Sequence, residues 1–218
     1  MINSAHSDAG RELLQTSGVP VVEAWDLPKR PLGGVVGFSH RSVGFAMTSH
    51  LIDCDYKNIA FVSGPKNLDP RGQERYQGHI KALATHQLDN SRHITIEQDW
   101  QDISAGKLAV ESLLKYHPDS DAMVCLTDKV AMGAIMECKR RNLHLPNDLA
   151  ITGHGGFDFS EHLLPALTTT RIDAASIGIQ SARLIIDKIN KPSASPREQI
   201  FDLGFEIIPR ESTLRQGS

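Results

Sequence analysis

The chain has 218 residues, enough to bury a core as one domain or as two lobes. Its 23 Lys and Arg stand against 26 Asp and Glu, and a formal net charge of −3 argues against nucleic-acid binding by this chain alone, since phosphate contacts need a concentrated basic face. The 3 cysteines, Cys54, Cys125 and Cys138, sit among apolar residues and read as reduced and buried, and no apolar run reaches membrane-spanning length.

The chain opens Met1-Ile2-Asn3-Ser4-Ala5-His6 without a charged-then-apolar leader, which points to the cytoplasm. A short helix over Arg11-Glu12-Leu13-Leu14-Gln15-Thr16-Ser17, capped by Gly18, precedes a strand over Pro20-Val21-Val22-Glu23. Residues 26–34 form a Pro/Gly loop with Lys29 and Arg30 at its tip. Beyond Val35-Val36-Gly37-Phe38-Ser39-His40, the residues Val43, Ala46, Met47, His50, Leu51 and Cys54 make one apolar helical stripe. His50 on that stripe reads as a packed core or interface residue and not as a metal ligand. Lys57-Asn58-Ile59-Ala60-Phe61-Val62-Ser63-Gly64 is the next strand and turn.

The polar loop 65–73 leads into a helix with Tyr76, Ile80, Leu83 and Ala84 on one face. Arg71 and Arg75 stand at its start. Guanidinium forks hold carboxylates and vicinal hydroxyls bidentately, and the competing reading is a solvated charge. The strand Ile94-Thr95-Ile96-Glu97 runs to Trp100, which is either a stacking surface or rim packing. A helix over 104–116 follows, with Gly106, Ala109, Val110, Leu113 and Leu114 on one face, and Pro118 ends it.

The most telling stretch is the apolar run 122–125, followed by Leu126-Thr127-Asp128 and a helical pattern that buries Ala131, Ala134, Ile135 and Cys138. With the second apolar run at 149–153 it makes a βαβ unit, which places Asp128 in a turn at the carboxyl edge of a parallel sheet. An Asp there is either the N-cap of the helix or a ligand group. His154-Gly155-Gly156-Phe157-Asp158 follows the second strand. After Leu167-Thr168-Thr169-Thr170, a helix presents Ala182, Ile185, Ile186 and Ile189 and ends at Asn190-Lys191-Pro192. A Ser/Pro loop at 193–196, one or two strands within 200–208, Pro209-Arg210-Glu211-Ser212-Thr213 and a frayed tail complete the chain.

The order Thr127-Asp128-x-x-Ala131-Met132-Gly133, then Leu145-Pro146-Asn147-Asp148-Leu149-Ala150-Ile151-x-Gly153, then Pro165-Ala166-Leu167-Thr168-Thr169, resembles the effector-binding core of lactose/galactose-type repressors. Within that family the chain is most similar to the gluconate-type repressors. The resemblance implies an α/β, periplasmic-binding-protein-like fold of two parallel-sheet lobes joined by three crossovers, with a small molecule bound between them. It assigns 1–37 and 170–199 to a partial amino-terminal lobe, 38–169 and 200–213 to the carboxyl-terminal lobe, and 214–218 to a tail. In the family the amino-terminal lobe starts earlier, behind a helix-turn-helix head. The expectation is therefore an incomplete amino-terminal lobe and no DNA-binding head in this chain. Phe38, Ser39, Thr168 and Thr169 fall at hinge positions.

The same resemblance nominates ligand residues. Arg75, three residues before Gly78, matches an arginine that holds ligand hydroxyls in the lactose-type pattern, and Arg71 resembles one of the gluconate-type relatives. Trp100 falls where family members stack an aromatic ring on sugars or bases, with Gln101 competing because the alignment slips by one residue. Thr127 takes the place of a ligand-contacting Asn, and Asp128 matches a family Asp. Counting back from Pro165, Gly155 replaces the usual ligand-binding Asp, and Asp158 matches the acid that ends this run in gluconate-type relatives. An Asp repels an anion, so its absence beside Arg71 and Arg75 favours a sugar acid over a neutral sugar.

The expected function is thus the effector-binding and dimerisation domain of a transcriptional repressor that senses a small sugar acid such as gluconate. Its expected partners are that effector, a second copy through faces near residues 43–54 and 205–207, and operator DNA only through the absent head. No membrane, cofactor or metal is expected. The competing reading is a periplasmic-type solute-binding protein for a sugar, which needs an export signal. An enzyme is not expected, because no paired carboxylates, metal-spaced His/Cys set or nucleophile elbow appears. The His154-Gly155-Gly156 echo of an esterase oxyanion loop lacks any G-x-S-x-G.

Overall fold

The computed structural model describes residues 7–190 and 199–214. The expected Ser/Pro loop at 193–196, the Lys191-Pro192 helix end and the tail from 215 onward lie outside the described residues. In chain order the elements are α1 (Asp8–Thr16), β1 (Val22–Ala24), β2 (Gly34–Gly37), α2 (His40–Asp53), β3 (Ile59–Ser63), α3 (Pro70–Thr85), β4 (His93–Thr95), α4 (Ile103–Tyr116), β5 (Ala122–Val124), α5 (Asp128–Arg140), β6 (Ala150–Thr152), β7 (Thr169–Arg171), α6 (Ala174–Asn190), β8 (Ile200–Asp202) and β9 (Glu206–Ile208). A 3-10 turn, Asp158–His162, lies between β6 and β7. They form two compact units, Met1–Ser39 with Ile172–Phe205 and His40–Arg171 with Glu206–Ser218. The chain crosses between them after Ser39, after Arg171 and after Phe205, the three crossovers that the sequence implies.

The first unit holds the parallel sheet β1-β2-β8. Ser7 caps α1 by accepting the Gly10 N–H, and Gly18 closes that segment at φ +68°. Val35, Val36 and Phe38 are buried, together with Ile177 and Leu184 of α6. The units divide at 39/40, 171/172 and 205/206, against the expected 37/38, 169/170 and 199/200, and the last difference moves a strand. The segment 200–202 was assigned to the carboxyl-terminal lobe, but it pairs with β2, with Val36 opposite Phe201. The Val35 N–H donates to the Gln199 carbonyl at 2.8 Å, so β8 completes hydrogen bonds that β2 would otherwise lack.

The second unit is built on the parallel sheet β4-β3-β5-β6. Strand alternation sorts its side chains onto two faces. Ile59, Phe61, Ala122 and Val124 pack with Met47 and Leu51 of α2 and Leu83 of α3. Ala60, Val62, Met123 and Cys125 pack with Ala105 and Ala109 of α4 and Val130, Ala131 and Ala134 of α5. Helices thus cover both faces, and the strands are apolar throughout. Gly44 lets α2 and α3 touch, since a Cβ there would lie 1.9 Å from the Arg75 carbonyl oxygen. The α2 stripe packs into the core, with Val43, Met47 and Leu51 buried. The large apolar side chains exposed on this unit include Ile103, Met136, Phe157 and Leu164.

From β3 the chain winds outward to β4, then returns past β3 to β5, so the topological switch falls between β3 and β5. Crevices form at the carboxyl ends of strands at such a point. Besides this sheet the unit has an antiparallel ribbon, β7 with β9. One of these strands leaves the unit and the other re-enters it, so side by side they run in opposite directions. The closing segment is pinned beneath them. Ser212 Oγ donates to the Ile151 carbonyl at 2.6 Å, and Tyr56 OH donates to the Thr213 carbonyl at 3.1 Å. Burial raises the thiols of Cys125 and Cys138, the latter to about 12, so both stay protonated. Among the described residues, no helix is long and apolar enough to cross a membrane.

Candidate functional site

Asp69 pins the start of α3 to the end of β3. Its carboxylate accepts the Gly72 N–H at 2.8 Å as the helix N-cap and the Gly64 N–H at 3.3 Å, with Pro70 opening the helix. Arg71 and Arg75 are one turn apart and share the helix face that this anchoring orients. Arg75 is buried, with 7% exposure. Its Nη1 donates to His40 Nδ1 at 3.0 Å and its Nη2 donates to the Leu126 carbonyl at 3.4 Å. These bonds tie α3 to the start of α2 and to the end of β5.

A guanidinium only donates, so His40 Nδ1 accepts and the ring proton sits on Nε2. The His154 ring meets the His40 ring edge-on, with centroids 6.0 Å apart at 71°, and its Nδ1 bonds the Thr170 hydroxyl. Burial, reinforced by Arg75, His40 and Arg71, holds the His154 imidazole well below its ordinary range and therefore neutral. Arg71, Arg75 and His40 make a donor-rich cluster at the carboxyl edge of this sheet, with the neutral His154 ring beside it.

Of the expected site residues, Arg71 and Arg75 fall in this cluster. Trp100 lies against the end of β3, where a Cβ on Gly64 would sit 2.5 Å from its indole ring, and it packs on the core. Gln101, the competing residue, is exposed. Thr127 is the N-cap of α5, with its hydroxyl accepting the Val130 N–H at 3.3 Å. Capping therefore falls to Thr127 and not to Asp128, which is the first residue of the helix. Asp128 is fully buried; it accepts the Phe157 N–H and the Ser160 hydroxyl at 2.8 Å on Oδ2 and the Thr169 hydroxyl at 2.5 Å on Oδ1. Burial pushes its pKa up, against these hydrogen bonds and one from the Gly156 N–H. Asp158 is exposed and accepts the N–H of its neighbour Phe159 at 2.9 Å.

The hinge residues divide as well. Phe38 and Ser39 directly precede the first crossing. Thr168 and Thr169 are fully buried inside the second unit, and Thr168 bonds Ser212, Thr213 and Arg210. The crossing itself comes after Arg171. Sequence reasoning missed His40 and His154. Their available signal was position, since each histidine closely follows the end of a strand, β2 or β6. No group of three or more His, Cys, Asp or Glu is placed to hold a metal ion among the described residues.

Comparison with known proteins agrees with this architecture. The family described as periplasmic binding protein-like domain matches residues 48–213. The HTH-type transcriptional regulator IdnR of Escherichia coli (strain K12) is 29% identical over 200 residues, which cover 90% of this chain and 58% of that protein. The HTH-type transcriptional regulator GntR of the same strain is 28% identical over 204 residues, covering 94% of this chain and 60% of that protein. The chain thus spans less than two thirds of the length of these relatives. A solved LacI family transcriptional regulator from Silicibacter pomeroyi matches with a TM-score of 0.90 at 27% identity, over 99% of this chain and 77% of that one. All three are named as transcriptional regulators and none as an enzyme. The chain belongs to the periplasmic binding protein-like domain family, and its architecture is that of a solved LacI family transcriptional regulator.

Proposed function

We propose that this chain senses a small sugar acid such as gluconate as the effector-binding part of a transcriptional repressor. The observation that carries the ligand class is the balance of donors and acceptors at the carboxyl edge of the second unit. Arg71 and Arg75 supply charged donors there, and His40 adds its Nε2–H. The buried acids of the same edge, Asp69 and Asp128, have both oxygens occupied by protein donors. A lining of this kind favours an anion, which accepts at every oxygen, over a neutral sugar, whose hydroxyls also need acceptors. Gly155, where the family's lactose-type members carry an Asp, adds no repulsion.

Trp100 supplies a flat apolar surface for the sugar-acid carbons, and Thr127 and Asp158 are accessory contacts. Asp128 acts behind them. The regulator names of the relatives support the repressor reading over a solute-binding one, and their HTH-type designation supports operator binding through a head of the longer proteins. A homodimer and hinge positions at Phe38 and Ser39 complete the proposal, with Thr168 and Thr169 as the fixed base from which the second crossing departs. A thermal-shift titration with gluconate, glucose, ribose and adenine tests the ligand class. A ligand that binds only the folded state adds about 2.7 kcal/mol of stability at one hundred times its Kd. Gluconate is expected to raise the melting temperature and the neutral compounds to leave it unchanged. Equal shifts with glucose and gluconate would overturn the sugar-acid reading.

A further inference from the structure

We propose that Asp128 is a positioning residue, whose buried carboxylate locks the 153–160 loop and β7 into the arrangement that presents His154 beside His40 and Arg75. The use of that ring in effector binding rests on the function proposed above; the positioning does not.

Three connections converge on Asp128. Its backbone N–H donates to the His154 carbonyl at 3.0 Å, which fixes the main chain that carries the ring. Its Oδ2 accepts from the Phe157 N–H and the Ser160 hydroxyl, so the loop beyond His154 folds back onto the start of α5. Its Oδ1 accepts from the Thr169 hydroxyl, and the next residue, Thr170, bonds the His154 ring. The same β7 segment accepts the Gly155 N–H at the Thr170 carbonyl at 3.2 Å. Asp128 therefore holds the main chain of His154 directly and the hydroxyl partner of its ring through one intervening residue.

The turn is shaped for this carboxylate. A Cβ on Gly153 would lie 2.2 Å from Asp128 Oδ1, so the carboxylate occupies space that any other residue at 153 would fill. Gly155 at φ +129° and Gly156 at φ +67° then let the chain wrap around it. Two simpler accounts of an Asp at this position fail. Thr127 already caps α5, and the Asp128 carboxylate is fully buried and accepts protein donors on both oxygens.

The test compares wild type, Asp128→Asn, Asp128→Ala and Thr169→Val in the 218-residue chain. Three readouts are taken: melting temperature, gluconate affinity, and the His154 ring resonances followed by NMR against pH, assigned with His154→Gln. An Asn side chain keeps one acceptor oxygen, Val removes only the donor to Oδ1, and Ala removes every side-chain bond. In wild type the ring is expected to stay neutral across pH 5–8. In Asp128→Ala its resonances are expected to move and to titrate in the ordinary imidazole range, with gluconate affinity down roughly tenfold or more, because small misplacements of a binding group are expensive. Asp128→Asn and Thr169→Val are expected to fall between and carry the test if the Ala variant does not fold. Variants that melt earlier but leave the His154 spectrum unchanged would overturn the proposal and leave Asp128 a purely structural residue. If wild type binds no gluconate, the ligand proposal fails while the ring spectra still decide the positioning role.

Discussion

Arg75 Nη1 lies 3.0 Å from His40 Nδ1, a contact between the second turn of one helix and the first residue of another that sets which nitrogen of the imidazole carries its proton. The arginine thereby aims a ring N–H rather than a lone pair away from itself. Replacing His40 with Ala removes an acceptor from a buried guanidinium. The expected loss is about 1.5–3 kcal/mol, the range for hydrogen bonds to charged groups, read by urea unfolding. His40→Asn retains a carbonyl acceptor and is expected to recover part of it. Equal losses for the two variants would show that the bond contributes nothing beyond packing.

The second unit is expected to weaken in mild acid because its buried histidines are neutral. Thr48 Oγ1 donates to the Gly44 carbonyl at 2.8 Å and so accepts from His79 Nδ1 at 2.9 Å. His79 Nε2 is left without a hydrogen-bond partner among the described residues. Burial, with His93 nearby, lowers its pKa from 6.5 to about 3. The unfolded chain then binds a proton that the folded chain refuses between those two values. Stability is full above pH 6.5 and falls as pH drops toward 3, by on the order of several kcal/mol for this group. His50, His93 and His154 shift in the same direction. His79→Phe should flatten the acid limb in unfolding experiments run from pH 8 to pH 4, whereas an unchanged slope would remove His79 as a cause.

Gly44→Ala is expected to damage both fold and site. The added carbon would meet the Arg75 carbonyl oxygen at 1.9 Å and its Cα at 2.8 Å, and backbone atoms cannot rotate aside. Separating α2 from α3 should cost about 1–3 kcal/mol or more, as overpacking does, and should shift Arg75 away from Leu126. Calorimetry is expected to show a lower melting temperature together with weaker gluconate binding. A lower melting temperature with unchanged affinity would mean that the helix pair moves as a body.

Much of this was legible in the sequence where a local pattern has one physical solution. Alternating apolar strands and striped helices announce a covered parallel sheet, and the 122–153 stretch places its turn at the carboxyl edge. Arg71 and Arg75 stand out in the sequence because the family resemblance and guanidinium chemistry both nominate them at the start of a helix. Asp128 shows the limit. Its residue type and position suit a cap, a ligand group or a buried anchor, and only the long-range donors Phe157, Ser160 and Thr169 separate these. His40 and His154 were missed for the same reason, since 114 positions separate them and their meeting depends on tertiary packing. The strand 200–202 was misplaced because a short apolar run carries no mark of which sheet edge it will join.

The central claim is that an arginine-centred donor cluster selects an anion. The most direct measurement is isothermal titration of wild type and Arg75→Gln with gluconate and with glucose at constant ionic strength. Removing one charge-assisted contact is expected to cost about 1.5–3 kcal/mol, roughly a tenfold to hundredfold change in Kd. Wild type should bind gluconate in preference to glucose, and Arg75→Gln should lose most of that preference while still melting cooperatively. A wild type that binds glucose as tightly as gluconate, or an Arg75→Gln variant that keeps the full preference, would contradict the account.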